Sequence, residues 1–280
     1  MSSSNSQPEY VLPRDASETE RLNAQDLIWV SSIGFRAHPE IVKSIPKNAR
    51  IADVGTGTGV WLIRLGSDEY QLEGLDMSDL QYPASHPENL TFHTLNILEP
   101  VPEKYKARYD LIHLRLVMAG MKADSWKIAA AHLLEMLKPG GFVQWEEGDF
   151  VHFTVLQGEP LAPMAALKKL NDVGIGRNII NKVITDAPVR MTSILRDAGF
   201  ASSHASITSS DRDPKARQAF TEIMVKVLGA TARWHLAQGY KDMFDADEVD
   251  KVTSQAMEEA QGARAYMQVA IYCTIGQKAA

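Results

Sequence analysis

A single cysteine, Cys273, stands in a chain of 280 residues. That excludes an internal disulfide framework and a cysteine-rich zinc site. No apolar run reaches membrane-spanning length, and no basic-then-hydrophobic signal opens the chain. The simplest location is therefore cytoplasmic, without a membrane partner. Positive charge is not in excess: 29 Lys and Arg stand against 35 Asp and Glu, for a net charge of −6. A nucleic-acid footprint is not expected from that balance. There is no internal repeat, and compositional bias is confined to the Ser/Asn/Gln-rich start. Residues 1–16 read as a disordered or extended segment. What remains is ordinary for a soluble protein, 45% apolar and 23% charged. Residues 17–280 are long enough to bury one large α/β core. The expected partner is a small-molecule substrate, and a homodimer stays open.

The most informative stretch is Ile51-Ala-Asp-Val-Gly-Thr-Gly-Thr-Gly-Val-Trp61. A short apolar run ends in Asp53, then Gly55, Gly57 and Gly59 alternate with Thr56 and Thr58. From Val60 the apolar residues return at helical spacing. Glycine there permits positive φ and close approach of a ligand to the backbone. The helix that follows offers free N–H groups to the turn. The dinucleotide fingerprint needs its third glycine one place later, where Val60 stands. No Gly-Lys-Ser/Thr follows, so a Walker A loop is excluded. Asp53 would repel a pyrophosphate and suits a cationic ligand.

Strand and helix signals alternate downstream. Gln71–Asp76 is a short strand ending in an acid about twenty residues beyond the turn, where a carboxylate accepts both ribose hydroxyls of a nucleoside. Met77 beside it would lie against an adenine ring. Asn89–Asn96 reads as a third strand, with the Asn96 amide placed for the adenine amino group and Ile97 for the ring. Tyr109–Val117 is a fourth strand. Ser125–Leu137 is an amphipathic helix stopped by Lys138-Pro-Gly-Gly141, and Phe142–Glu146 is a fifth strand. Upstream, Glu18–Ile33 has helical periodicity. Residues 17–33 read as a lid helix, with Tyr10, Gln25 and Trp29 as candidate ligand contacts, or as a helix that only packs on the sheet.

Asp53-x-Gly55-x-Gly57-x-Gly59, Asp76, Asn96, Asp110 and Leu137-Lys-Pro-Gly-Gly141 together resemble the class I S-adenosylmethionine (SAM) methyltransferases. More narrowly, Glu20–Gln25, Gly55–Trp61, His113-Leu-Arg115 and Trp145-Glu-Glu147 are similar to the fungal secondary-metabolite methyltransferases. Those include the gliotoxin-pathway amide N-methyltransferase type and relatives of the global pathway regulators. The resemblance covers roughly residues 20 to 150. It implies a Rossmann-like seven-stranded sheet, SAM as cofactor, and a cofactor site of Asp53, Gly55, Thr56, Gly57, Gly59, Asp76, Met77, Asn96, Ile97 and Arg115. Many methyltransferases carry Asp where Asn96 stands.

The acceptor side falls in the second half, as helical insertions at about 150–198 and 213–262. Pro160–Val173 reads as a helix broken by Gly174-Ile-Gly176. Met191–Ala198, Ala216–Leu236 and Asp245–Gly262 are further helices, Phe200–Thr208 a strand and Tyr266–Ile275 the closing strand. Methyl transfer from a sulfonium needs alignment above all, with a general base optional. His152 and Glu146 are the candidate catalytic residues. Glu146, Glu147 and Asp149 otherwise read as a solvated strand end. Asp110 begins its strand, at the wrong end to join them around a metal, so no metal is expected. The expected activity is methylation of a hydroxyl or an amide/amine nitrogen on a small apolar natural product. The alternatives are a SAM-binding enzyme of rearrangement or cyclisation, and a pathway-regulator-type protein.

Overall fold

The computed structural model describes residues 16–180, 185–239 and 244–280; the expected extended segment and Tyr10 lie outside them. Helix α1 (Ala16–Ile33) and the short α2 (Pro39–Ser44), the latter not anticipated, precede the first strand. Then come β1 (Arg50–Val54), α3 (Val60–Leu65), β2 (Gln71–Asp76), β3 (Leu90–Thr94), β4 (Tyr109–Arg115), α4 (Ser125–Met136) and β5 (Leu137–Gly148). The second half runs β6 (Thr154–Gln157), α5 (Ala165–Ile180), α6 (Ala187–Asp197), β7 (Ser202–Ser209), α7 (Ala216–Ala237), α8 (Ala246–Ala260), β8 (Ala265–Gln268) and β9 (Ala270–Gln277).

Seven strands form one sheet in the order β3-β2-β1-β4-β5-β9-β7. Pairs from β3 through β5 are parallel, and β9 is antiparallel to both β5 and β7. Parallel central strands are covered on both faces, which is why β1 and β4 read as nearly continuous apolar runs. On one face, Ile51, Leu72, Leu111 and Phe142 pack with Ile41 of α2 and Trp61 and Leu62 of α3. On the other, Ala52, Ile112, Val143 and Trp145 pack with Trp126, Ala129 and Leu133 of α4 and Leu195 of α6. Helices α5, α7 and α8 pack on one another, and α7 also meets α1 and β8. Strand order reverses between β1 and β4. In open α/β sheets the crevice at the carboxyl ends of such a pair is where ligands bind.

Two expectations are corrected. The helix expected to end at Gly174-Ile-Gly176 continues through both glycines to Ile180. A helical glycine costs about 1 kcal/mol and leaves the hydrogen-bond ladder whole; buried Leu167, Leu170 and Ile175 hold α5 in place. The expected closing strand is split at Val269. There Ser210 replaces the ladder, its N–H donating to Val269 O (3.0 Å) and its Oγ accepting from Val269 N (3.0 Å). The kink sends β8 to pair with β6, a strand the sequence did not announce.

Candidate active site

The turn after β1 has Gly55, Gly57 and Gly59 at φ of 72°, 53° and 70°, all left-handed. Space demands glycine as well as φ. A Cβ on Gly55 would lie 2.7 Å from Val117 Cγ1, and one on Gly59 would lie 2.5 Å from Phe92 Cζ. The loop after β4 and the middle of β3 therefore press on the turn from two sides. Gly55 N and Thr56 N donate to Leu75 O, which ties the turn to β2. Gly57 N donates to Asp76 Oδ2 at 2.9 Å, and Ser78 N to Asp76 Oδ1 at 3.2 Å. Asp76 is thus fixed at the tip of the glycine turn. Beside it Met77 is 51% exposed. Asn96 and Ile97 are half-buried at the end of β3; Asn96 Oδ1 accepts from Leu98 N, and Ile97 O lies 2.7 Å from His132 Nδ1. The structure gathers Gly55, Thr56, Gly57, Gly59, Asp76 and Met77 around one turn, with the end of β3 alongside.

Asp53 and Glu146 sit differently, inside a buried polar ladder across β1, β4 and β5. Asp53 accepts from Thr56 Oγ1 (2.7 Å) and lies 2.7 Å from His113 Nδ1. The His113 ring stacks on Trp61 at 3.8 Å, and its Nε2 is 3.6 Å from Glu146 Oε1. Gln144 Nε2 donates to the same Glu146 oxygen at 2.5 Å and to Arg36 O at 2.8 Å. Burial opposes a charged imidazole here, yet Asp53 and Glu146 outweigh it and raise the His113 pKa. Sequence alone does not single out Gln144 and Trp61 as partners. The available signal was polar residues at inward positions of otherwise apolar central strands.

Helix α1 lies across the turn. Leu22 Cδ1 is 3.5 Å from where a Gly57 Cβ would stand, and Thr58 Oγ1 donates to Asn23 Oδ1 at 2.9 Å. Its anchor is Asp26, fully buried among three guanidinium groups. Arg36 bonds it through both Nη atoms (2.8 and 3.0 Å), while Arg64 and Arg115 each donate at 2.8 Å. Burial alone would raise the Asp26 carboxyl; the arginines hold it well below the usual carboxylate range. Arg115 Nη1 is buried without a hydrogen-bond partner. Trp29 is 1% exposed, part of the core.

At the end of β5, the acids read as a solvated strand end are buried instead: Glu146, Glu147 and Asp149 are 1%, 1% and 6% exposed. Glu147 Oε1 accepts from Val117 N (2.9 Å) and Trp145 Nε1 (3.2 Å). Burial pushes its carboxyl up to about 8 against the pull of those hydrogen bonds, and the Glu146 charge adds to the rise. The His152 side chain is 74% exposed, with Nδ1 2.8 Å from Asp149 Oδ2. Asp110 lies at the opposite edge of the sheet, accepting from Arg50 N and Lys138 Nζ.

Residues 32–156 match a family described as a methyltransferase domain. That segment is similar to a methyltransferase domain, and the sheet order is that of the class I methyltransferase fold. Among relatives, a methyltransferase (grgD) of Penicillium sp is 38% identical over 178 residues, 59% of each chain. The N-methyltransferase tcpN of Claviceps purpurea (strain 20.1) is 27% identical over 259 residues, 89% of this chain and 90% of that one. The match thus spans less than two thirds of the first relative and nearly all of the second. A Haemonchus contortus phosphoethanolamine N-methyltransferase 2, solved with phosphomonomethylethanolamine and S-adenosylhomocysteine, superposes with a TM-score of 0.53 at 15% identity. It covers 98% of this chain and 61% of that one, a likeness of fold. Within the methyltransferase fold, the glycine turn and Asp76 occupy the carboxyl edge at the switch point, with α1 above them. No helix among the described residues is long and apolar enough to cross a membrane.

Proposed function

We propose that this methyltransferase domain uses SAM to methylate a nitrogen of a small apolar natural product, with a hydroxyl as the other acceptor the site would accommodate. The observation that carries the reading is the Asp76 carboxylate held against the Gly57 N–H at the mouth of a left-handed glycine turn. The residues fit the cofactor. Asp76 would take the ribose hydroxyls, Met77 and Ile97 would flank the adenine, and the Asn96 amide would meet its amino group. The unpartnered Arg115 Nη1, in a cluster of three arginines around one aspartate, suits the cofactor's carboxylate. Asp53 would act from beneath the turn, since both its oxygens are engaged by Thr56 and His113.

SAM supplies an activated methyl group on a sulfonium. The chain's part is then to align the acceptor and exclude water, with α1 closing over the turn. A neutral amine acceptor attacks through its lone pair and sheds its proton after transfer, so it requires no base; an amide nitrogen needs its proton withdrawn as it attacks. His152, paired with Asp149 at the rim, would be the base if one is used. The relative that aligns along nearly its whole length bears the name N-methyltransferase, which favours nitrogen.

The test is mass spectrometry of metabolite extracts incubated with the protein and methyl-labelled SAM. A product that gains the labelled methyl supports the reading. An isomer of unchanged mass would favour a non-methylating SAM enzyme, and no change in any metabolite would favour a regulatory role.

A further inference from the structure

We infer that Glu147 is a positioning residue that latches the loop after β4, Leu116 to Gly120, against the cofactor turn. Three observations meet there. Glu147 Oε1 accepts the Val117 N–H at 2.9 Å, and Met118 N–H also reaches the carboxyl. Leu116 has φ 52° and ψ 39°, a left-handed conformation that a branched side chain adopts only when its surroundings impose it. Val117 Cγ1 fills the space a Gly55 Cβ would need. The loop therefore sets the wall of the glycine turn, and Glu147 sets the loop.

The carboxyl is built to do this in its neutral form. It is 1% exposed, and Oε2 is buried without a hydrogen-bond partner. The groups around it are the Val117 and Met118 amides, the Trp145 indole N–H, Glu146 on its own strand and Tyr272 opposite it on β9. None of these is a cation. Burial and Glu146 keep the proton on to about pH 8. Above that a charge is buried against three N–H donors with no cation to offset it, and water admitted by an open loop relieves it further. The effect on cofactor affinity rests on the methyltransferase reading; the latch itself does not.

Hydrogen–deuterium exchange of residues 116–121 tests it without ligand, beside calorimetry with S-adenosylhomocysteine, on the wild type, Glu147→Gln and Glu147→Ala. Glutamine keeps the acceptor oxygen and removes the titration. At neutral pH, Glu147→Ala should exchange the loop about ten-fold faster and bind S-adenosylhomocysteine about ten-fold more weakly, while Glu147→Gln stays near wild type. Between about pH 7 and pH 9, wild-type loop protection, corrected for intrinsic exchange, should fall and that of Glu147→Gln should hold. Wild-type protection in Glu147→Ala, or identical pH profiles for wild type and Glu147→Gln, would overturn the latch. If Glu147→Ala does not fold, the pH comparison decides alone. Loop behaviour as stated with no S-adenosylhomocysteine binding by the wild type would leave the latch standing and remove the cofactor reading.

Discussion

Asp76 and Glu147 are both acids at strand ends, and their surroundings assign them opposite work. Asp76 is part-exposed and oriented by backbone N–H groups, and under the proposed function it receives the ribose hydroxyls. Charge-assisted hydrogen bonds of that kind are worth roughly 1.5–3 kcal/mol each. Asp76→Ala is expected to weaken S-adenosylhomocysteine binding about ten-fold or more by calorimetry, with an unchanged melting transition. Glu147 is sealed, and its carboxyl is raised from 4.5 to about 8. The folded state therefore holds a proton that the unfolded chain releases, and stability falls as pH rises through that window. Relative to wild type, Glu147→Gln should gain stability from about pH 5 to pH 8, by an amount on the order of a few kcal/mol. Urea denaturation at several pH values checks this; a pH-independent difference would contradict it. The glycine turn was legible in the sequence because positive φ and close approach leave few alternatives there. The sequence did not reveal that Glu146, Glu147 and Asp149 are buried. Acids at a strand end look alike in one dimension, and only the packing of the loop after β4 and of β9 separates them.

Helix α1 is held by a buried charge cluster as well as by its apolar face. Its apolar residues Ile28, Trp29 and Ile33 are buried, but the anchor is Asp26 with three arginines drawn from the α1–α2 connection, α3 and β4. Removing one partner of a buried pair leaves uncompensated charge and costs about 3–5 kcal/mol. Asp26→Asn is expected to lower stability by that order, measured by denaturant unfolding, and to loosen α1 from the turn. An unchanged midpoint would mean that the arginines are solvated independently of Asp26. The existence of α1 could be read from helical periodicity, whereas its anchor could not, because Arg36, Arg64 and Arg115 are scattered in sequence. Element boundaries failed where tertiary contacts override local signals. Ser210 inserts at Val269 and splits one expected strand in two. Packing of Leu167, Leu170 and Ile175 carries α5 across glycines that read as a stop.

For the whole molecule, the strand order puts the glycine turn, Asp76 and the loop after β4 at one edge, and Asp110 with Lys138 at the other. That separation follows from the parallel strands β1 to β5, whose carboxyl ends all face the same way. Alternating strand and helix signals mark such a sheet, and the Asp53–Gly59 and Leu137–Gly141 motifs point to this particular fold. The acceptor side was less legible, since an apolar stripe on α5 or α7 reads the same whether it packs on a neighbour or lines a pocket. The glycine turn is expected to bind SAM rather than a dinucleotide, and calorimetric titration with S-adenosylhomocysteine and with NAD decides between them. S-adenosylhomocysteine should bind saturably and NAD not at all; NAD binding with comparable affinity would mean that the turn is a dinucleotide site.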